Sequence, residues 1–95
     1  MTSRLNEEDL KEIIKDYLED CCIANVYIED ILNENCHTKV CIKIVNKYFP
    51  NIEYRYFLDI TKMLLAKGEM RIKILNNILT DYKQTLMKYF FYRRI

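Results

Sequence analysis

Glycine and proline each occur once in these 95 residues, histidine occurs once, and tryptophan is absent. A single glycine, Gly68, does not suffice for a glycine-rich loop that cradles phosphate or for a glycine-lined oxyanion hole, so nucleotide-binding loops and covalent hydrolysis are not expected. Long apolar runs are also missing. No stretch approaches the roughly 20 uncharged residues that crossing a bilayer requires. Residues 1–12 carry four carboxylates and no apolar core segment, so a secretory signal is not expected and the expected compartment is the reducing cytoplasm.

What is present is a globular composition. Hydrophobic residues make up 51% and charged residues 31%, the length suits one domain over residues 1–95, and neither a linker nor an internal repeat divides it. Phe, Tyr, Met, Ile, Asn and Lys account for 47 of the 95 residues. Their codons are AT-rich, and that bias alone explains the shortage of glycine and proline. The net charge of +1 hides an asymmetry: residues 1–35 hold ten acids against three bases, and residues 36–95 hold four acids against twelve bases. Such a distribution steers partners, attracts phosphate, or lets copies associate head to tail.

Helical signals run along the chain. Leu5-Asn6-Glu7-Glu8-Asp9-Leu10 reads as an N-cap with a hydrophobic staple, followed by a buried stripe of Leu10, Ile13, Ile14, Tyr17, Leu18 and Cys21. Asn25 caps a short second helix carrying Tyr27, Ile28, Ile31 and Leu32, although Val26-Tyr27-Ile28 alone also fits a strand. Thr38 caps a third, with Val40, Cys41, Ile44, Val45, Tyr48 and Phe49 inward, and Pro50 ends it. A fourth runs from Ile52 to Lys67, where Gly68 in a left-handed conformation closes it. Met70, Ile74, Leu75, Ile78, Leu79, Tyr82, Leu86, Tyr89 and Phe90 then form one face of a long final helix. The expected fold is therefore all-α, a compact bundle of five or six helices with a long C-terminal helix. The alternative is a winged helix, in which Met70, Ile72 and Ile74 alternate and Asn76-Asn77 turns a short hairpin within 69–82.

Three clusters carry chemistry worth weighing. Cys22, Cys36, His37 and Cys41 are metal-ligand types, but no pair has the C-x2-C spacing and Cys41 falls on an apolar stripe, so neither metal nor cofactor is expected. His37 beside Asn35 and Thr38 suits a surface or capping role, and no enzyme is expected. Lys39, Lys43 and Lys47 recur every fourth residue, the form of a phosphate-tracking stripe. Lys88-Tyr89-Phe90-Phe91-Tyr92-Arg93-Arg94 interleaves aromatics with bases and suits nucleic acid, a membrane surface or a protein partner. Within it Phe91, Tyr92, Arg93 and Arg94 are left over once the core stripe is complete, which makes them candidates for a partner or homodimer contact.

Ser3-Arg4-Leu5 followed by Asp16-Tyr17-Leu18-Glu19-Asp20 resembles the opening helix of small poxvirus all-α host-modulating proteins of the Bcl-2-like type, and a death-fold domain of five or six helices is closer in length. That resemblance implies a non-enzymatic protein-interaction module in the host cytoplasm that modulates apoptosis or innate signalling. Its acidic helices, with Glu7, Glu8 and Glu12, would dock on a helical partner or another copy. Residues 58–70, Leu58-Asp59-Ile60-Thr61-Lys62-Met63-Leu64-Leu65-Ala66-Lys67-Gly68-Glu69-Met70, resemble the recognition helix and first wing strand of winged-helix DNA-binding domains. That second resemblance implies a nuclear regulator with Arg55, Lys62, Arg71 and Lys73 near phosphates.

Overall fold

A period of two governs the middle of the chain. Over residues 38–45, Thr38, Val40, Ile42 and Ile44 alternate with Lys39, Cys41 and Lys43, and five of these eight residues are β-branched, the type that packs well on a pleated surface. The computed structural model describes residues 5–34 and 37–93, with the backbone alone for residues 92 and 93, and it places this segment in a strand. The elements are α1 (Glu7–Cys21), β1 (Ala24–Glu34), β2 (His37–Asn46), β3 (Glu53–Asp59), α2 (Ile60–Leu65) and α3 (Gly68–Arg93). The strands form one antiparallel sheet in the order β1-β2-β3.

This is an α+β fold, and it overturns the expected all-α helical bundle. The second and third expected helices are β1 and β2, and the fourth is β3 followed by the short α2. Ile52, Tyr54, Tyr56 and Leu58 alternate with Glu53 and Arg55, which is strand patterning, and helix begins only where the Asp59 carboxylate accepts the Lys62 amide at 3.1 Å. Pro50 sits in the turn between β2 and β3, where the Ile52 amide bonds the Phe49 carbonyl at 2.9 Å. The winged-helix alternative fails at 69–82, because α3 is continuous helix from Gly68 to Arg93. Gly68 opens that helix and does not take a left-handed conformation to close the one before it.

One face of the sheet forms the core. Val26, Val40, Ile42, Ile44 and Tyr54 pack with Leu10, Ile14 and Leu18 of α1, Ile60 and Met63 of α2, and Leu75, Ile78, Leu79 and Tyr82 of α3. Burying each large apolar side chain contributes about 1.5–3 kcal/mol, so this layer holds the helices on the sheet. Three polar ties fix their placement. The Glu7 carboxylate accepts the Thr61 hydroxyl at 3.0 Å and the Thr38 hydroxyl at 3.4 Å, tying α1 to β2 and α2. Tyr54 donates to Asp81 at 2.5 Å, and burial with that carboxylate beside it raises the phenol's pKa. Asn46 accepts the Tyr48 and Phe49 amides and donates to the Tyr82 hydroxyl, which joins the β2–β3 turn to α3.

Helix α1 begins as its capping signal indicates, with the Asn6 side chain accepting the Asp9 amide at 2.8 Å. Tyr17 of α1 reaches Asn76 of α3, and further along Lys83 of α3 lies close enough to act on the Cys22 thiol at the end of α1. The two helices therefore run side by side in the same direction, and α3 continues past the end of α1.

Candidate interaction surfaces

The uncovered face of the sheet is built by register. Tyr27, Lys43 and Arg55 form one cross-strand row, Glu29, Cys41 and Phe57 the next, and Lys39 pairs with Asp59. The spacing of four that suggested a helical lysine stripe is also an even number, so it places Lys39 and Lys43 on one face of a strand, with Lys47 just beyond it. These bases are not gathered into a positive surface. Glu53 takes both Arg55 at 2.7 Å and Lys43 at 3.7 Å, and Arg55 beside it holds its carboxyl below the usual range. His37 pairs with Asp59 at 3.2 Å. Hydrogen bonding to the Lys62 amide, with His37 adding to it, lowers the Asp59 pKa.

The remaining nucleic-acid candidates are scattered as well. Arg71 donates from Nε to the Met63 carbonyl at 3.1 Å and from Nη2 to the Leu64 carbonyl at 2.6 Å, so its guanidinium closes the C-terminus of α2. Lys62 lies on α2 and is exposed. Lys73 lines an open cleft of about 500 Å³ between α2 and α3 with Leu65, Ala66, Lys67, Glu69 and Met70. The seven bases thus fall on or just beyond the sheet, on α2 and on α3, and three of them are engaged within the molecule.

The partner-contact candidates divide in the same way. Glu7 is half-buried in its threonine ties, and Glu8 pairs with Lys11, which also reaches Asp30. Glu12 is exposed, and with Asp9, Asp16 and Asp20 it forms an acidic stripe along α1 beside the exposed Ile13. Among the described residues none of these four carboxylates is in an ion pair. At the other end of the chain, Phe91 is 71% exposed on α3, the side chains of Tyr92 and Arg93 fall outside what is described, and Arg94 lies outside the described residues.

Helix α3 is the element whose sequence exceeds its core. It spans 26 residues, yet among the described side chains none after Tyr82 is buried; Leu86 packs only at the edge of the core and Phe90 meets Phe49 edge to face at 4.9 Å. Met87, 70% exposed, and Phe91 lie one turn apart and form an apolar ridge. Lys83 and Lys88 flank that ridge on its two sides, and no acid follows Asp81 in the sequence. Sequence reading identified Phe91 but missed Met87, whose spacing of four from Phe91 and from Lys83 is the signal that marks it.

Cys22 is half-buried at the end of α1 and burial pushes its thiol pKa up, Cys41 lies on the open sheet face, and Cys36 falls outside the described residues. Among the described residues no group of three or more His, Cys, Asp or Glu is placed to hold a metal ion. No helix among them is long and apolar enough to cross a membrane. Nothing among protein-family models, curated proteins or solved structures matches the chain.

Proposed function

We propose that the protein is a non-enzymatic protein-interaction module that docks through the outer face of α3. The observation that carries this reading is the continuation of α3 past Tyr82 with Met87 and Phe91 exposed one turn apart between two lysines. Isolated helix of this length is marginal in water, so the segment has most to gain from a surface that covers its apolar ridge. Aromatic and methionine anchors are the composition that interface cores favour, and charged neighbours such as these lysines suit the polar rim around them. Modulation of host apoptotic or innate signalling is one use of such docking, carried over from the resemblance of the first helix alone.

A photo-crosslinking amino acid at position 91, introduced into the full chain in expressing cells, tests the reading. Discrete protein adducts that disappear when Lys83 and Lys88 are reversed to glutamate are expected. Adducts to nucleic acid would replace this reading with the alternative, and the absence of any adduct would overturn it.

A further inference from the structure

Resting on that reading, we infer that the partner of the α3 ridge is the acidic face of α1 in a second copy of this chain, in head-to-tail contact. The two surfaces are complementary in charge, chemistry and length. The ridge offers Met87 and Phe91 between Lys83 and Lys88; α1 offers exposed Ile13 beside Asp9, Glu12, Asp16 and Asp20. Asp9 to Asp20 covers about 17 Å of helix and residues 83–93 about 15 Å, at 1.5 Å per residue, so the stripes are of similar length.

A contact within one chain is excluded by direction. Helix α3 runs alongside α1, passes its end near Cys22 and Lys83, and continues away as unbroken helix, so its ridge cannot fold back over the stripe on its own α1. A symmetric pairing of two α3 ends would set like charges together, since four bases and no acid follow Asp81. The acidic stripe in turn is in no ion pair within the folded chain, among the described residues. Glu12, Asp16 and Asp20 stand four residues apart on one helix face, where like charges repel, and Asp20 adds negative charge at the C-terminal end of α1, whose own last turn carries no base. Side chains that work against their own helix are accounted for when they face a basic surface.

Because the two patches differ, the contact is heterologous and propagates into chains or closes into a ring. Sedimentation velocity of the full chain in reducing buffer, over a range of concentrations and two salt levels, provides the test. Wild type should associate as concentration rises, and added salt should weaken that association. D16K/D20K and K83E/K88E, each checked for fold by circular dichroism, should each associate at least about tenfold more weakly alone. Mixed together they present complementary faces at every contact, and association should return. D16N/D20N and K83Q/K88Q replace any reversal variant that does not fold, each weakening association alone. A monomeric wild type, association that neither pair of substitutions weakens, or a reversal mixture that does not recover would overturn the inference. A monomer that still crosslinks from position 91 to another protein overturns self-association alone and leaves the docking reading standing.

Discussion

Asp59 shows how much one side chain does at the junction of sheet and helix. Its carboxylate accepts the Lys62 amide to start α2 and faces His37 across the sheet. Asp59→Ala should cost about 1 kcal/mol, the usual value of an N-cap, whereas Asp59→Asn keeps an acceptor and should cost only a few tenths. The pH dependence follows from the lowered pKa of the folded carboxyl. Its contribution is complete above the unfolded value of roughly 3.9 and is lost as pH falls through the lower folded value, so the Asn variant should lose less stability than wild type below about pH 4. Urea unfolding between pH 2.5 and 7 measures both effects. Equal acid sensitivity in the two proteins would show that the hydrogen bond and the His37 pair leave the charge of Asp59 without consequence.

At the scale of elements, Arg71 and Gly68 define the junction of α2 and α3. Because the Arg71 guanidinium bonds two terminal carbonyls of α2, Arg71→Ala should destabilise the fold by about 1–2 kcal/mol, charged hydrogen bonds being discounted for partial exposure. The denaturant midpoint should fall with the slope unchanged. Arg71→Lys should recover little, since an ammonium cannot span both carbonyls as a fork. Gly68 behaves in the opposite sense. A Cβ there meets nothing within 4 Å and the backbone is not left-handed, so Gly68→Ala should stabilise by about 0.4–1 kcal/mol through the unfolded state. A loss of stability in thermal melts would show that the residue needs freedom which only glycine has.

The same elements show what the sequence made legible. Asn6 and Asp9 announced α1, and the stripe from Leu75 to Tyr82 announced α3, because caps and a 3.6-residue period are local signals. The strands were hidden by coincidence of period. Val40, Cys41, Ile44 and Val45 fit a helix, while Thr38, Val40, Ile42 and Ile44 fit a strand, and the β-branched content of 38–45 was the signal that separates them. Lys39 and Lys43, four apart, satisfied either period. Arg71 was not legible as a cap, because its acceptors become neighbours only when α2 stops at Leu65 and α3 turns back. Of the candidate surface, Phe91 and Glu12 were visible in the sequence. Met87 and the direction of α3 past α1 required the fold.

For the whole molecule, charge separation sets stability against association. Helix α1 holds seven acids and two bases, β1 adds three acids and no base, and the basic end of α3 lies beyond them. The principal extents of 55 × 26 × 19 Å describe a long molecule with unlike ends rather than a sphere of mixed charge. Asp16 sits at the centre of the acidic stripe with Glu12 and Asp20 four residues away on either side. Asp16→Lys removes two like-charge neighbours and creates two attractive ones, each effect worth about 0.2–0.5 kcal/mol on a helix, so the monomer should gain roughly 0.8–2 kcal/mol. For a chain of this size that corresponds to a rise in Tm of about 3–16 °C, read by calorimetry at low concentration where the monomer predominates. The same substitution should weaken head-to-tail association, because a lysine would then oppose Lys83 and Lys88 of the neighbouring copy. Opposite signs for stability and association are what a binding surface maintained at the expense of its own helix requires. A fall in Tm would mean that Asp16 supports α1 within the monomer, and an unchanged association constant would detach the acidic stripe from the contact.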